Sequence, residues 1–230
     1  MPFRSIIISL AFALSLVTGG MVWAESTSQG GGNTADAAGK NSSQPIIHTQ
    51  PGRFSIEVQL AGPAPAPTVI LSHGSGGLWK HQRNWAASLI EAGYNVAMID
   101  HFTEKGVEPH VSKVYIRTVP EERVKDMLAT ASWVMAQQWH KGKLGVIGFS
   151  QGGSGVNLLA NTRMLKNLKL AEGYDLSIFG ALVSYYPGCG IPFGGTPDLP
   201  YVPIQLAKID PEANKKSRER VFAHLDKHLK

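Results

Sequence analysis

The residues that could do chemistry cluster at Gly148-Phe149-Ser150-Gln151-Gly152-Gly153, where a serine stands between glycines at the end of the apolar run Leu144-Gly145-Val146-Ile147. A serine hydroxyl attacks an acyl carbon only when a base takes its proton and fixed donors hold the oxyanion that develops. With 25 glycines in 230 residues, the bare pattern Gly-x-Ser-x-Gly is weak. Its setting strengthens it. A strand that turns sharply into a helix holds the serine in a strained conformation with its hydroxyl pushed out of the sheet, and it demands tiny neighbours where helix meets strand. Gly148 and Gly152 meet that demand, with Gly153 behind them. The expectation is a nucleophile elbow at Ser150; the plain alternative is a tight strand-to-helix crossing without chemistry.

The elbow would bring a second benefit. The N–H of Gln151 would fall in the first turn of a helix, where donors lack intrahelical partners and the dipole favours negative charge. A second oxyanion donor is expected from Ser72-His73-Gly74-Ser75-Gly76-Gly77, with Ser75 the first choice and Gly74 the alternative. The same glycines admit a phosphate-binding reading, but Gly-x-x-x-x-Gly-Lys and Gly-x-Gly-x-x-Gly are both missing where nucleotide binding would need them. No metal and no organic cofactor is implied.

The elements that must position these residues follow from hydrophobic periodicity. Arg53 to Leu60 alternates like an edge strand, and Thr68 to Ser72 is a short buried run ending in the Gly-rich loop. Trp79 to Ala92 has helical spacing and stops at Gly93, after which Asn95 to Asp100 is a second buried strand. Pro120, followed by Glu121 and Glu122, opens a helix expected to run to about Trp139; Glu108 to Val119 is ambiguous. Leu144 to Gly148 is the third buried strand, Gln151 to about Asn161 the helix after it, and Phe179 to Tyr186 the fourth strand. Strands apolar on both faces that alternate with helices predict an α/β fold with a mostly parallel sheet covered on both sides. Ligands in such sheets bind at the carboxyl ends of the strands, which singles out His73 to Gly77, Asp100 to Phe102, Gly148 to Gly152 and Pro187 to Gly190.

The flanks read differently. Residues 1–24 carry one charge, Arg4, an apolar run from Ile6 to Val17 and a small-residue end at Val22-Trp23-Ala24, the plan of a secretory signal cleaved after Ala24. The apolar run falls short of the roughly 20 residues a spanning helix needs, so no stable membrane span is expected after cleavage. Residues 25–52 are rich in Gly, Ser, Asn and Gln and are expected to be a flexible linker, with the folded domain at residues 53–230. Export implies a periplasmic or secreted protein. The formal charge of +5 includes no basic stripe, which makes nucleic acid a poor partner. Cys189 is the only cysteine, so no internal disulfide can form, and nothing beside it in sequence would activate its thiol. No repeat of 20 to 50 residues occurs, and oligomeric state is left open.

The segments HGSGG, GFSQGG and YYPGCG, each after a strand, resemble the α/β-hydrolase fold and more narrowly the dienelactone hydrolase family, from about Thr68 to Gly195. The terminal DPEANKKSRERVFAHLDKHL is similar to that family's closing segment. Dienelactone hydrolases proper carry cysteine at the elbow, so Ser150 implies an esterase-like member acting on a small carboxylic ester or lactone through an acyl-enzyme. The resemblance also implies an acid and then a histidine downstream of the serine, and this chain departs from it. His224 and His228 lie in an amphipathic terminal helix, and of Asp198, Asp210, Glu212, Glu219 and Asp226 only Asp210 follows a candidate strand. Asp210-Pro211-Glu212-Ala213 matches the segment the family places after its histidine, so the fold is expected to be shortened toward the C-terminus. His73 and His101, at strand ends, are the candidates for a substitute base or for supporting packing. An incomplete site, a base from another loop, and completion by a partner all stay open, as does a degenerate binder without turnover. Nothing specific favours a peptidase.

Overall fold

Among the described residues, seven short segments, most of them rich in β-branched and aliphatic residues, pair into one sheet. In the computed structural model, which describes residues 47–50, 52–108, 119–187, 199–204 and 211–230, the elements in chain order are β1 (Ile47–Thr49), β2 (Ser55–Gln59), β3 (Thr68–Ser72), α1 (Lys80–Glu91), β4 (Asn95–Asp100), α2 (Val119–Met135), β5 (Leu144–Phe149), α3 (Gln151–Leu159), α4 (Thr162–Asn167), β6 (Phe179–Tyr185), β7 (Tyr201–Ile204) and α5 (Pro211–Leu229). The strand order is β1-β2-β4-β3-β5-β6-β7. β1, β2 and β4 pair antiparallel at one edge, and every pairing from β4 through β7 is parallel.

Every residue of β3, β5 and β6 is buried, as a sheet covered on both faces requires. One cluster packs α2, α3 and α4 residues such as Met127, Leu128, Val156 and Leu165 against Ile70, Val146 and Leu182. The other packs Trp85, Leu89, Val221 and Leu225 of α1 and α5 against Val69, Ile147 and Val183. The sequence-predicted α/β class with a mostly parallel sheet is the observed one.

Three local expectations differ from the structure. β2 is not an edge strand, because Ile47–Thr49 pairs with it in the register Ile47↔Val58. The sheet therefore begins inside the stretch expected to be linker. Ile56 and Val58 are wholly buried and even Glu57 is only 7% exposed, so the polar alternation does not mark a wet face; Arg83 covers Glu57 at 2.5 Å. Third, α2 stops at Met135 rather than near Trp139. The carbonyl of Trp139 instead accepts from the N–H of Ala66 at 3.0 Å and the Asn95 amide at 2.8 Å, drawing this segment onto the amino ends of β3 and β4. In sequence only residues 205–210 separate β7 from α5. No helix among the described residues is long and apolar enough to cross a membrane.

Candidate active site

Ser150 caps the amino end of α3 with φ 51° and ψ −113°. A positive φ is strained for any residue with a Cβ, typically by about 1–3 kcal/mol, and persists only where its surroundings enforce it. Here they do. The Ser150 N–H donates to the Tyr185 carbonyl at 2.9 Å, and its own carbonyl accepts from the Ser154 N–H at 2.9 Å. A Cβ on Gly148 would lie 2.2 Å from the Gly152 carbonyl oxygen, and one on Gly152 would lie 2.2 Å from that of Ser72. No side chain fits either place, which is how the sequence forces the turn.

The Gly-rich loop passes directly beside this serine: a Cβ on Gly74 would lie 3.0 Å from Ser150 Cβ and 3.7 Å from its Oγ. The Gly74 carbonyl accepts from His73 Nδ1–H at 2.6 Å and, more weakly, from the Gly77 N–H at 3.3 Å and Arg123 at 3.5 Å. In a planar trans peptide the C=O and the following N–H point in opposite directions. The N–H of Ser75 is thus turned away from those donors. Among the described residues, no backbone carbonyl accepts from the N–H of Ser75 or of Gln151, which is the first residue of α3. The two donors singled out from sequence are therefore unpaired and on neighbouring segments.

Ser150 and Ser75 open onto a hollow of about 190 Å³, lined also by Gly74, Gly76, Gly77, Trp79, His81, Gln82 and Tyr186. A larger hollow of about 710 Å³, lined by His101, Phe102, Lys105, Arg123 and Asp126 among others, does not include Ser150. The size of the larger one carries no chemistry for the serine; the smaller one is lined by the strained serine itself.

Neither His73 nor His101 offers Ser150 a free ring nitrogen. His73 is fully buried; Nδ1–H is spent on Gly74, and Nε2 accepts from the His101 N–H at 3.1 Å. Burial, reinforced by the Arg123 guanidinium, pushes its pKa down to about 3. The ring ties the Gly-rich loop to the end of β4. His101, 2% exposed, bonds Asp126 through Nδ1 at 2.6 Å and Ser72 Oγ through Nε2 at 2.9 Å. Burial and the neighbouring cations keep its imidazole neutral, so Nδ1–H donates to the Asp126 carboxylate and Nε2 accepts from the Ser72 hydroxyl. Lys105 adds a bond to the same carboxylate at 2.7 Å. Both histidines have every ring nitrogen occupied, and proton transfer from Ser150 would have to break this network.

The downstream candidates also fall away from the serine. The His228 carbonyl oxygen packs within 2.9 Å of a Cβ built on Gly180, at the amino end of β6 and thus the far end of the sheet. The His224 ring packs at a tilt against that of His228, with centroids 4.7 Å apart. Asp226 accepts from Tyr94 at 2.6 Å and pairs with Lys230, and Glu212 pairs with Lys216. Cys189, Asp198 and Asp210 lie outside the described residues, as do the segment expected to be a signal and most of the segment expected to be a linker. Among the described residues no group of three or more His, Cys, Asp or Glu side chains could hold a metal ion.

Sequence reasoning missed Asp126, Arg123 and His81. Glu121-Glu122-Arg123 reads as a solvated helix start, yet Arg123 is 2% exposed, with its guanidinium over the Phe102 ring at 4.8 Å and a bond of 3.4 Å to the Gln151 side chain. His81 follows the Gly-rich loop in the first turn of α1, a position only the loop's path brings to the serine.

Fold and site together define a protein with the α/β-hydrolase fold, in the form that dienelactone hydrolases have. A family model of the X-Pro dipeptidyl-peptidase (S15 family) matches residues 61–171. That stretch carries the Gly-rich loop and the elbow and ends before β6. No curated protein matches the sequence. Among solved structures, a dienelactone hydrolase from Anabaena variabilis is similar over 81% of this chain and 98% of that one, at 15% identity and TM-score 0.58. The Pyrococcus furiosus esterase Pf2001 is similar over 81% and 93%, at 15% identity and TM-score 0.54. The dienelactone hydrolase-like promiscuous phosphotriesterase P91 from metagenomic libraries is similar over 81% and 77%, at 17% identity and TM-score 0.52. The chain spans 50% of the length of Est1E from Butyrivibrio proteoclasticus, at 17% identity and TM-score 0.44.

Proposed function

We propose that this protein is a serine hydrolase that cleaves small carboxylic esters or lactones through an acyl-enzyme on Ser150. The observation that carries the reading is the positive φ of Ser150 at the head of α3, beside unpaired N–H groups of Gln151 and Ser75. Strain of this kind persists at functional sites because it presents a side chain that a relaxed turn would not. Ser150 Oγ bonds to the acyl carbon while the carbonyl oxygen takes up negative charge, and the two N–H groups receive that charge. The tetrahedral intermediate collapses with departure of the alcohol, and water then releases the acid. The solved structures that share the fold include an esterase and dienelactone hydrolases, which supports the substrate class. A hollow of about 190 Å³ favours a short acyl group. The apolar run in residues 1–24 supports export to the periplasm or beyond, and the mature chain would begin at Glu25.

The test is a fluorophosphonate probe together with hydrolysis of p-nitrophenyl acetate. Wild-type protein should form one covalent adduct and release nitrophenol, and Ser150→Ala should do neither. A folded protein that never reacts would favour the second reading, a binding protein without turnover. That reading has its own observation, since no described side chain hydrogen-bonds the Ser150 hydroxyl.

A further inference from the structure

Among the described residues, the hollow at Ser150 is lined by one imidazole. His81 shares it with the serine, and its ring packs edge-on against Phe149, the residue before the serine, with centroids 5.1 Å apart. Among the described residues neither of its ring nitrogens has a hydrogen-bond partner, and the residue is solvent-exposed. The other described histidines are excluded by position or by occupied nitrogens. His73 and His101 are locked in the buried network, His140 bonds Thr68 and the Gly142 carbonyl, and His224 and His228 lie on α5. His48, on the edge strand β1, faces a different hollow.

The charged group that faces His81 is Arg218 of α5; β5 presents the Phe149 ring, and the segment after β6 presents Tyr186. Partial burial and Arg218 hold the imidazole below its ordinary pKa. It is therefore neutral at pH 7, the form that accepts a proton. An unpaired ring on an exposed helix start can rotate between staggered positions, and hydrogen bonds of empty active sites commonly tighten only once substrate is present.

On the reading that Ser150 is the nucleophile, we propose that His81 is its general base, in a serine–histidine dyad drawn from the first helix instead of from a loop after the last strands. Its free ring nitrogen takes the Ser150 proton as Oγ bonds to the acyl carbon. The imidazolium returns that proton to the departing alcohol as the C–O bond breaks. The same nitrogen then takes a proton from the water that releases the acid. No described carboxylate orients the ring, so turnover should be well below that of a site with all three members. Losing the orienting acid alone costs about 10⁴-fold in a serine protease.

The experiment is the pH dependence of fluorophosphonate labelling for wild type, Ser150→Ala, His81→Ala and His81→Gln. Wild-type labelling should rise through a single inflection at or below the ordinary imidazole value and then level off. Both His81 variants should label about 10²-fold more slowly or worse and lose that inflection, and free imidazole should restore part of the rate to His81→Ala alone. Unaltered thermal unfolding would show that the fold is intact, as expected at an exposed position. Wild-type kinetics in the His81 variants would overturn the assignment of His81 and leave Ser150 standing. A folded wild type that never labels would overturn both.

Discussion

Two serines end neighbouring strands of this sheet, and they have opposite endowments. Ser72, at the end of β3, has a histidine and an acid in line behind it: Ser72 to His101 at 2.9 Å, His101 to Asp126 at 2.6 Å. It is completely buried and its backbone is regular strand. Ser150, at the end of β5, is strained, borders a hollow and stands next to two unpaired N–H groups, but nothing described bonds its hydroxyl. The order of contacts that spells a catalytic triad is thus in the wrong place for catalysis. What decides is access and oxyanion stabilisation. Once buried, the Ser72 chain becomes a polar clamp that fixes β3, β4 and α2 around the loop that Ser150 needs.

That contrast can be broken in graded steps. Ser150→Ala should abolish covalent labelling outright, measured by intact mass, whereas Ser72→Ala should leave the labelling rate of folded protein within a few-fold of wild type. Gly148→Ala should cost about 3 kcal/mol or more in chemical denaturation, because the added Cβ meets backbone rather than a flexible side chain. Asp126→Ala should cost about 3 kcal/mol, since it strips the acceptor from His101 and the counter-charge from Lys105 in a buried setting. Ser72→Ala should cost roughly 1–3 kcal/mol by leaving His101 Nε2 buried without a partner. A mutation at Ser72 or Asp126 that slowed labelling as much as one at Ser150 would mean that the clamp takes part in the chemistry.

The last test of the contrast is a pH dependence of stability. Folded His73 resists protonation until about pH 3, while the unfolded chain takes up its proton near 6.5. Above 6.5 both states are neutral and the stability is full. As pH falls from 6.5 toward 3 the unfolded state alone binds the proton, so stability should drop by up to about 1.4 kcal/mol per pH unit. Urea denaturation at pH 7 and pH 5 measures it; equal midpoints would contradict the neutral, occupied ring.

Much of the fold was legible because its strands are buried on both faces and its helices carry a plain apolar stripe. The elbow was legible because only glycine fits where α3 meets β5, and the Gly-rich loop because its small residues crowd the same turn. Edge placement was not, since the pairing of Ile47–Thr49 with β2 rests on long-range register that a polar stretch of sequence conceals. The buried chain was hidden for a related reason. Ser72, His101 and Asp126 are far apart in sequence, and Asp126 sits in a helix whose charges read as solvated until α2 is packed against β4. His81 is hidden in the sequence because it neither ends a strand nor follows the serine, and only the path of the loop carries this helix start to the hollow.

The most direct measurement is peptide mapping by mass spectrometry after treatment of the folded protein with a fluorophosphonate. The account predicts one adduct, on the peptide that contains Ser150, and none in Ser150→Ala. An adduct on Ser72 or on any other residue, or a folded protein with no adduct at all, would contradict it.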